Sequence, residues 1–275
     1  MKIKDITNCL EEFSPLHYAE DFDNVGLLVG EHTTEVTGVL ITLDTLEDVV
    51  EEAIDKNCNL IVSFHPIIFK GLKKLNGATY VERAVIKAIK NNIAIYAIHT
   101  ALDNSNEGVN AKICNVLGLS NQRILIPKRQ TLKKITGTIP VTKFKEASIG
   151  MGMIGELKTP CNEDDFIEYV KVKMNTKFIR HSKLLKKPVK KIAVLGGSGS
   201  FAIEDAIRNK ADVFITSDLK YHDFFRAESS IVLFDIGHFE SEQFTVDLLF
   251  DIIKEKFPSF TPCLSKKHLN PINYS

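Results

Sequence analysis

Apolar residues recur along the chain in two rhythms. Ile3, Ile6, Leu10 and Phe13 fall at helical spacing, and Ser14-Pro15 stops the run. After an acidic, turn-forming stretch from Glu20 to Asn24, a short apolar run before Gly30 has the length of a buried strand. Comparable runs at 37–43, 60–63, 93–98, 191–195, 213–216 and 231–234 predict further strands. Between them the helical rhythm returns at 46–56, where Val49, Val50, Ala53 and Ile54 share one face and Asp44 or Thr45 could cap the start. Helices are also predicted at 81–91, 164–174 (capped by Asp164 or Asp165), 201–209, 221–227 and 241–256, with a last strand at 261–264. Strands alternating with helices of about ten residues indicate βαβ units and a mainly parallel sheet.

From 121 to 150 the pattern weakens around Pro127 and Pro140, with short strands expected at 135–139 and 150–154. The expected organisation is a first α/β domain over 1–128, a linker over 129–150 and a second α/β domain over 151–275. The halves match each other. A shift of 153 positions sets the helix, turn and strand of 53–63 on those of 206–216, with His65 opposite Asp218. A shift of 139 sets His99-x-x-x-Asp103 on His238-x-x-x-Glu242. The fold expected is therefore a duplicated α/β unit.

Polar residues gather where these strands end, the edge at which open α/β sheets collect functional groups. His65 follows one strand, His99 and Asp103 another, Asp218 and His222 a third, and His238 and Glu242 a fourth. Imidazole and carboxylate ligands together suit zinc, iron or manganese and are too nitrogen-rich for calcium or magnesium alone. The bland alternative is that each group caps a helix or satisfies a local hydrogen bond. Gly196-Gly197-Ser198-Gly199-Ser200 lies between strand and helix but matches neither GxxxxGK[ST] nor GxGxxG, so it reads as a tight turn and not as a phosphate cradle.

Composition narrows the setting. The 275 residues are 44% hydrophobic and 25% charged, a globular balance. Lys+Arg and Asp+Glu both number 35, so no net basic field points to nucleic acid or a membrane surface. The five cysteines are scattered, without a CxxC pair, which fits reduced thiols in the cytoplasm. No apolar run approaches the roughly 20 residues that span a bilayer.

Asp23-Asn24-Val25-Gly26-Leu27, His65-Pro66-Ile67-Ile68-Phe69, His99-Thr100-Ala101-Leu102-Asp103, Thr216-Ser217-Asp218-Leu219-Lys220-Tyr221-His222 and Gly237-His238-Phe239-Glu240-Ser241-Glu242 together resemble the Nif-like dinuclear metal-centre proteins, also called GTP cyclohydrolase I type 2 homologues. The resemblance implies two similar α/β domains, a toroidal homohexamer and two divalent metals in the interdomain cleft. It implies that His65, Asp103 and Glu242 hold one metal, and that His238 and a bridging Glu242 serve the other. Two departures stand out. The family's His-His-Pro is Phe64-His65-Pro66 here, which implies one well-held metal and a weak or missing second. The extra domain that many relatives carry between the halves is reduced to about 129–148. The activity implied is metal-assisted hydrolysis of GTP or a related nucleotide, with His99, His222 or Asp218 moving protons. The alternative is a non-enzymatic, metal-binding scaffold or regulatory ring.

Overall fold

The computed structural model describes residues 1–128, 149–267 and 270–273. The expected strand at 135–139 and nearly all of the expected linker lie outside the described residues. The chain forms two compact units, Met1–Asp103 with Glu242–Ser275, and Asn104–Ser241.

The first unit opens with helix α1 (Ile3–Phe13), which buries Ile3, Ile6 and Leu10 on one face. Strand β1 (Gly26–Val29) leads to β2 (Val39–Thr42), helix α2 (Glu47–Asp55), β3 (Leu60–Ser63), α3 (Tyr80–Lys90), β4 (Ala94–Ala97) and the short helix α4 (His99–Asp103). Strands β2, β3 and β4 are parallel neighbours and are buried throughout, while β1 runs antiparallel along β4. The core beneath α2 and α3 joins Val49, Val50 and Ala53 to Leu40, Ile61, Ala84, Ala88 and Ile95. Thr79 caps α3, its hydroxyl accepting from the Glu82 amide. Neither Asp44 nor Thr45 caps α2: the cap position is Leu46, without a side-chain hydrogen bond, because the Asp44 carboxylate is held by His65.

The second unit contains α5 (Val109–Val116), β5 (Ser120–Pro127), β6 (Gly150–Cys161), α6 (Glu163–Lys173), β7 (Arg180–His181), β8 (Val189–Ser198), α7 (Ile203–Arg208), β9 (Val213–Ser217), a 3-10 turn over Tyr221–Ala227, and β10 (Val232–Asp235). Asn162 caps α6, accepting from the Asp165 amide; this moves Asp164 and Asp165 from the expected cap into the first turn. Helix α8 (His238–Glu242) follows β10, and α9 (Thr245–Lys256) and β11 (Cys263–Leu264) complete the chain. One helix was expected over 241–256. Instead Ser241 lies inside α8, donating to the His238 carbonyl and accepting from the Gly197 amide.

The strand orders are β1-β4-β3-β2-β11 and β5-β6-β8-β9-β10-β7. Each sheet thus contains a parallel triplet in chain order, β2-β3-β4 or β8-β9-β10, whose third strand is flanked by an antiparallel strand from earlier in the chain. The duplication read from the sequence is this shared strand plan. The sheets differ on the far side of the triplet, where β11 lies parallel to β2 but β6 lies antiparallel to β8. The division of the chain also differs from 1–128 and 151–275: the second unit begins at Asn104, and α9 and β11 belong to the first unit, β11 as a strand of its sheet. Cys9 donates to the Ile252 carbonyl, and Cys263 and Leu264 pair with Leu40 and Ile41. Among the described residues no helix is long and apolar enough to cross a membrane.

Candidate metal centre

In each sheet the third parallel strand runs straight into a five-residue helix: β4 into α4, beginning at His99, and β10 into α8, beginning at His238. Position i of each helix is a histidine and position i+4 an acid, so the two share a face. The sequence spacing at 99/103 and 238/242 is therefore a repeated device of the fold.

His65 follows β3 and stands between two carboxylates. Its Nδ1 lies 3.0 Å from Asp44 Oδ1 and its Nε2 lies 3.1 Å from Glu242 Oε2. Burial on its own would lower the pKa of this imidazole. Hydrogen bonds to Asp44 and Glu242, with the charges of both, prevail and raise it to about 10. A proton thus takes the place that a cation would take between the imidazole and Glu242.

His238 repeats the arrangement, with Nδ1 lying 2.7 Å from Asp218 Oδ2, to which Ser198 Oγ also donates. His99 makes a third such pair, its Nδ1 lying 2.9 Å from Asp23 Oδ1. Asp23 Oδ2 accepts from the Thr100 amide and hydroxyl at 3.1 and 2.5 Å. Burial acts to raise the Asp23 carboxyl, but bonds from His99 and Thr100 outweigh it and hold its pKa below the ordinary range. His99 (φ 27°) and Asp218 (φ 58°) both lie at positive φ, as do residues elsewhere in the chain such as Lys186 and Lys210.

His65, His238 and Glu242 each offer one ligand atom, and these atoms lie within 4.8 Å of one another. Two imidazoles and a carboxylate suit a divalent transition metal such as zinc. Bonds of about 2.0–2.1 Å in a tetrahedral set would bring ligand atoms to roughly 3.4 Å apart. The His65–Glu242 separation of 3.1 Å is already close to that value. A carboxylate on Nδ1 of both His65 and His238 fixes each ring and turns Nε2 toward use as a ligand. The donor set therefore fits the metal that the sequence motifs imply.

The other expected residues are placed as follows. Asp103, at the end of α4, is buried. His222 is exposed and packs against the rings of Tyr221 and Phe225. Asp218 orients His238. Phe64 is fully buried, its ring 4.9 Å from that of His65 and 5.5 Å from that of His99. Sequence reasoning gave Asp44 a capping role and gave Asp23 no role of its own. An acid just past a strand that is parallel neighbour to the histidine-bearing strand was the signal available for Asp44. The tight turn expected over Gly196–Ser200 is narrower than that: Gly196, Gly197 and Ser198 are the end of β8, and Gly199 alone separates it from a 3-10 helix that starts at Ser200. Gly196 and Gly197 donate their amides to Asn110 Oδ1 and Ser241 Oγ.

Two sheets on one strand plan, with histidine–acid helices at the strand ends and an imidazole–imidazole–carboxylate group, define a class of duplicated α/β proteins with a candidate divalent-cation site. The family model described as Duf34/NIF3 (NGG1p interacting factor 3) matches residues 1–271, and the chain belongs to that family. It is 35% identical over 245 residues to a Clostridium acetobutylicum protein named GTP cyclohydrolase 1 type 2 homolog, covering 88% of this chain and 85% of that protein. A Clostridium perfringens protein of the same name is 32% identical over the full length of both. Among solved structures, a Bacillus cereus protein related to NIF3 matches with TM-score 0.88 and 26% identity, covering 100% of this chain and 99% of its own.

Proposed function

We propose that the protein binds a divalent zinc, iron or manganese ion through His65, His238 and Glu242, and uses it to hydrolyse GTP or a related nucleotide. The observation that carries this reading is the group of two imidazoles and one carboxylate within 4.8 Å, with both rings held at Nδ1 by Asp44 and Asp218. The names of the two clostridial relatives supply the substrate class. A bound cation would acidify a water molecule toward neutral pH and so provide the nucleophile. Asp103 is assigned as a further ligand of the same site. His99 is assigned to carry a proton; its ring centroid 5.2 Å from that of His65, and its Nδ1 held by Asp23, support that assignment. His222 is the weaker candidate for that task because of its exposure. Phe64 cannot ligate, so one ion per chain is expected to be held firmly and a second weakly or not at all. The remaining parts of the proposal are assembly as a homohexamer and a place in the cytoplasm, where the five free thiols stay reduced.

Metal analysis of the purified protein should find the ion. Protein loaded with zinc, manganese or iron should release product from GTP, and His65→Ala combined with Glu242→Ala should abolish both results. Activity unchanged by that pair would overturn the mechanism. The buried phenylalanine at position 64, where the family resemblance implies a histidine, favours a second reading: a metal-binding scaffold without catalysis. That reading predicts firm metal retention with no turnover across a panel of nucleotides.

A further inference from the structure

Two loops of the first unit hold large aromatic side chains out to solvent beside the histidines. Phe22 is 67% exposed and Phe69 44%, and their ring centroids lie 6.3 Å apart at an interplanar angle of 61°. Phe69 lies 6.3 Å from the His99 ring, and His99 lies 5.2 Å from His65, so the aromatic surface leads directly to a candidate metal ligand. A single exposed phenylalanine needs no explanation. These two differ because the backbone holding them is pinned.

Asp23, next to Phe22, has a fully buried side chain tied to His99 and Thr100. The Glu20 amide donates to Thr100 Oγ1, closing the other side of the loop. Asn24 Nδ2 donates at 2.5 Å to the carbonyl of Ile68, the residue before Phe69. One loop is therefore stitched to the other, and both rings are presented on rigid supports. Such preorganisation lowers the entropic cost of binding. A pair of π faces set at a steep angle offers one ring for stacking and another for an edge contact.

The charge beside the rings is asymmetric. Phe69 is followed by Lys70-Gly71-Leu72-Lys73-Lys74, whose three lysines are exposed and have no ion-pair partner among the described residues. Phe22 is preceded by Glu20 and Asp21. A polyanion is favoured on the Phe69 side and repelled on the Phe22 side.

We propose that Phe22 and Phe69 seat the planar heteroaromatic base of a nucleotide, and that Lys70, Lys73 and Lys74 take its phosphates. The inference rests on the nucleotide reading above for its choice of ligand class. It adds the residues that recognise that class, which lie outside the metal ligands.

The test is binding, measured apart from turnover by calorimetry with a non-hydrolysable GTP analogue, guanosine and inorganic triphosphate. Phe22→Leu with Phe69→Leu keeps apolar bulk but removes the π faces. It should weaken the analogue and guanosine by roughly 5- to 150-fold, the span that base stacking of ~1–3 kcal/mol corresponds to. It should leave triphosphate binding and metal content unchanged. Phe22→Tyr with Phe69→Tyr should restore binding of the base. Lys70→Gln, Lys73→Gln and Lys74→Gln together should weaken the analogue and triphosphate but not guanosine, and the loss should shrink as salt rises. The proposal is overturned if the leucine pair binds guanosine as well as wild type does. It is equally overturned if that pair changes only the oligomeric state, which would make the rings an interface between copies, or if wild type binds none of the three probes. Base binding with the expected dependence but no turnover would sustain this inference and defeat the hydrolase reading. GTP turnover by wild type, with guanosine binding and turnover both unchanged in the leucine pair, would do the reverse.

Discussion

His65, His238 and His99 each surrender Nδ1 to an aspartate, and those aspartates lie far from their partners in sequence. Carboxylates that orient metal-bound imidazoles commonly matter nearly as much as the ligands. Asp44→Asn and Asp218→Asn are each expected to weaken metal affinity by about 10- to 100-fold, measured by competition with a chromophoric chelator, while leaving the far-UV circular dichroism unchanged. Acidity makes a second prediction. The metal-stripped protein holds His65 with its pKa raised to about 10, above the ordinary 6.5. The stability this contributes is fully present below pH 6.5 and is lost as pH rises through about 10. The thermal midpoint of stripped protein should therefore gain a falling component over that window, and His65→Gln should remove it. A cation entering at Nε2 has to displace that proton, so metal affinity should strengthen with rising pH across the same window. Asp23 carries the opposite sign: its pKa is held below 3.8, so its contribution is present above that value and fades as the solution is acidified through it.

At the scale of elements, the sequence was most informative where local pattern and tertiary role coincide. The strands β2, β3, β4, β9 and β10 are buried on both faces and apolar except, in all but β4, at their last one or two residues, which is why they read as unbroken runs. Histidine and acid at i and i+4 could be read because a helical turn fixes their shared face. The antiparallel strands β5 and β7 escaped notice. β5 has a mostly polar or exposed first half, and β7 is two exposed residues recognisable only through pairing with β10. The histidine–aspartate pairs were hidden for a related reason: a hydrogen bond between strand ends leaves no periodic trace. Gly199 illustrates a close approach that composition cannot reveal. A Cβ there would lie 2.1 Å from Thr216 Oγ1 and 3.0 Å from Thr216 Cβ, where β8 gives way to the turn before α7. Gly199→Ala is expected to cost about 1–3 kcal/mol through overcrowding, read as a lowered midpoint in urea with an unchanged m-value.

For the molecule as a whole, the domain boundary was the least legible feature. An amphipathic helix such as α9 declares that one face is covered, but not by what. Its partners lie at the other end of the chain: the Cys9 thiol reaches the Ile252 carbonyl, and Lys256 pairs with Glu12 at 2.8 Å. Strand β11 depends equally on distant residues. Ser265 donates to Glu52 at 2.6 Å, the Lys266 amide donates to the same carboxylate, and Lys56 reaches the Leu264 carbonyl. Burial tends to raise the Glu52 carboxyl, yet bonds from Lys56, Ser265 and Lys266 bring it below its ordinary value. A chain ending at Phe260 would lose these bonds and uncover the β2 edge. It is expected to unfold at lower temperature than the full chain and to self-associate, both measurable by scanning calorimetry and light scattering.

Glu52 and Ser265 are separated by 213 positions. At a translation rate of about 5–20 residues per second, the strand that covers β2 leaves the ribosome roughly 10–40 s after the strand it covers. Through that interval the nascent first sheet carries an open edge, and Glu242, which faces the His65 imidazole, has yet to be made for most of it. Early metal capture by an unfinished chain is thereby disfavoured, and the speed with which the second unit is translated sets how long the first is exposed to pairing with its neighbours on a polysome.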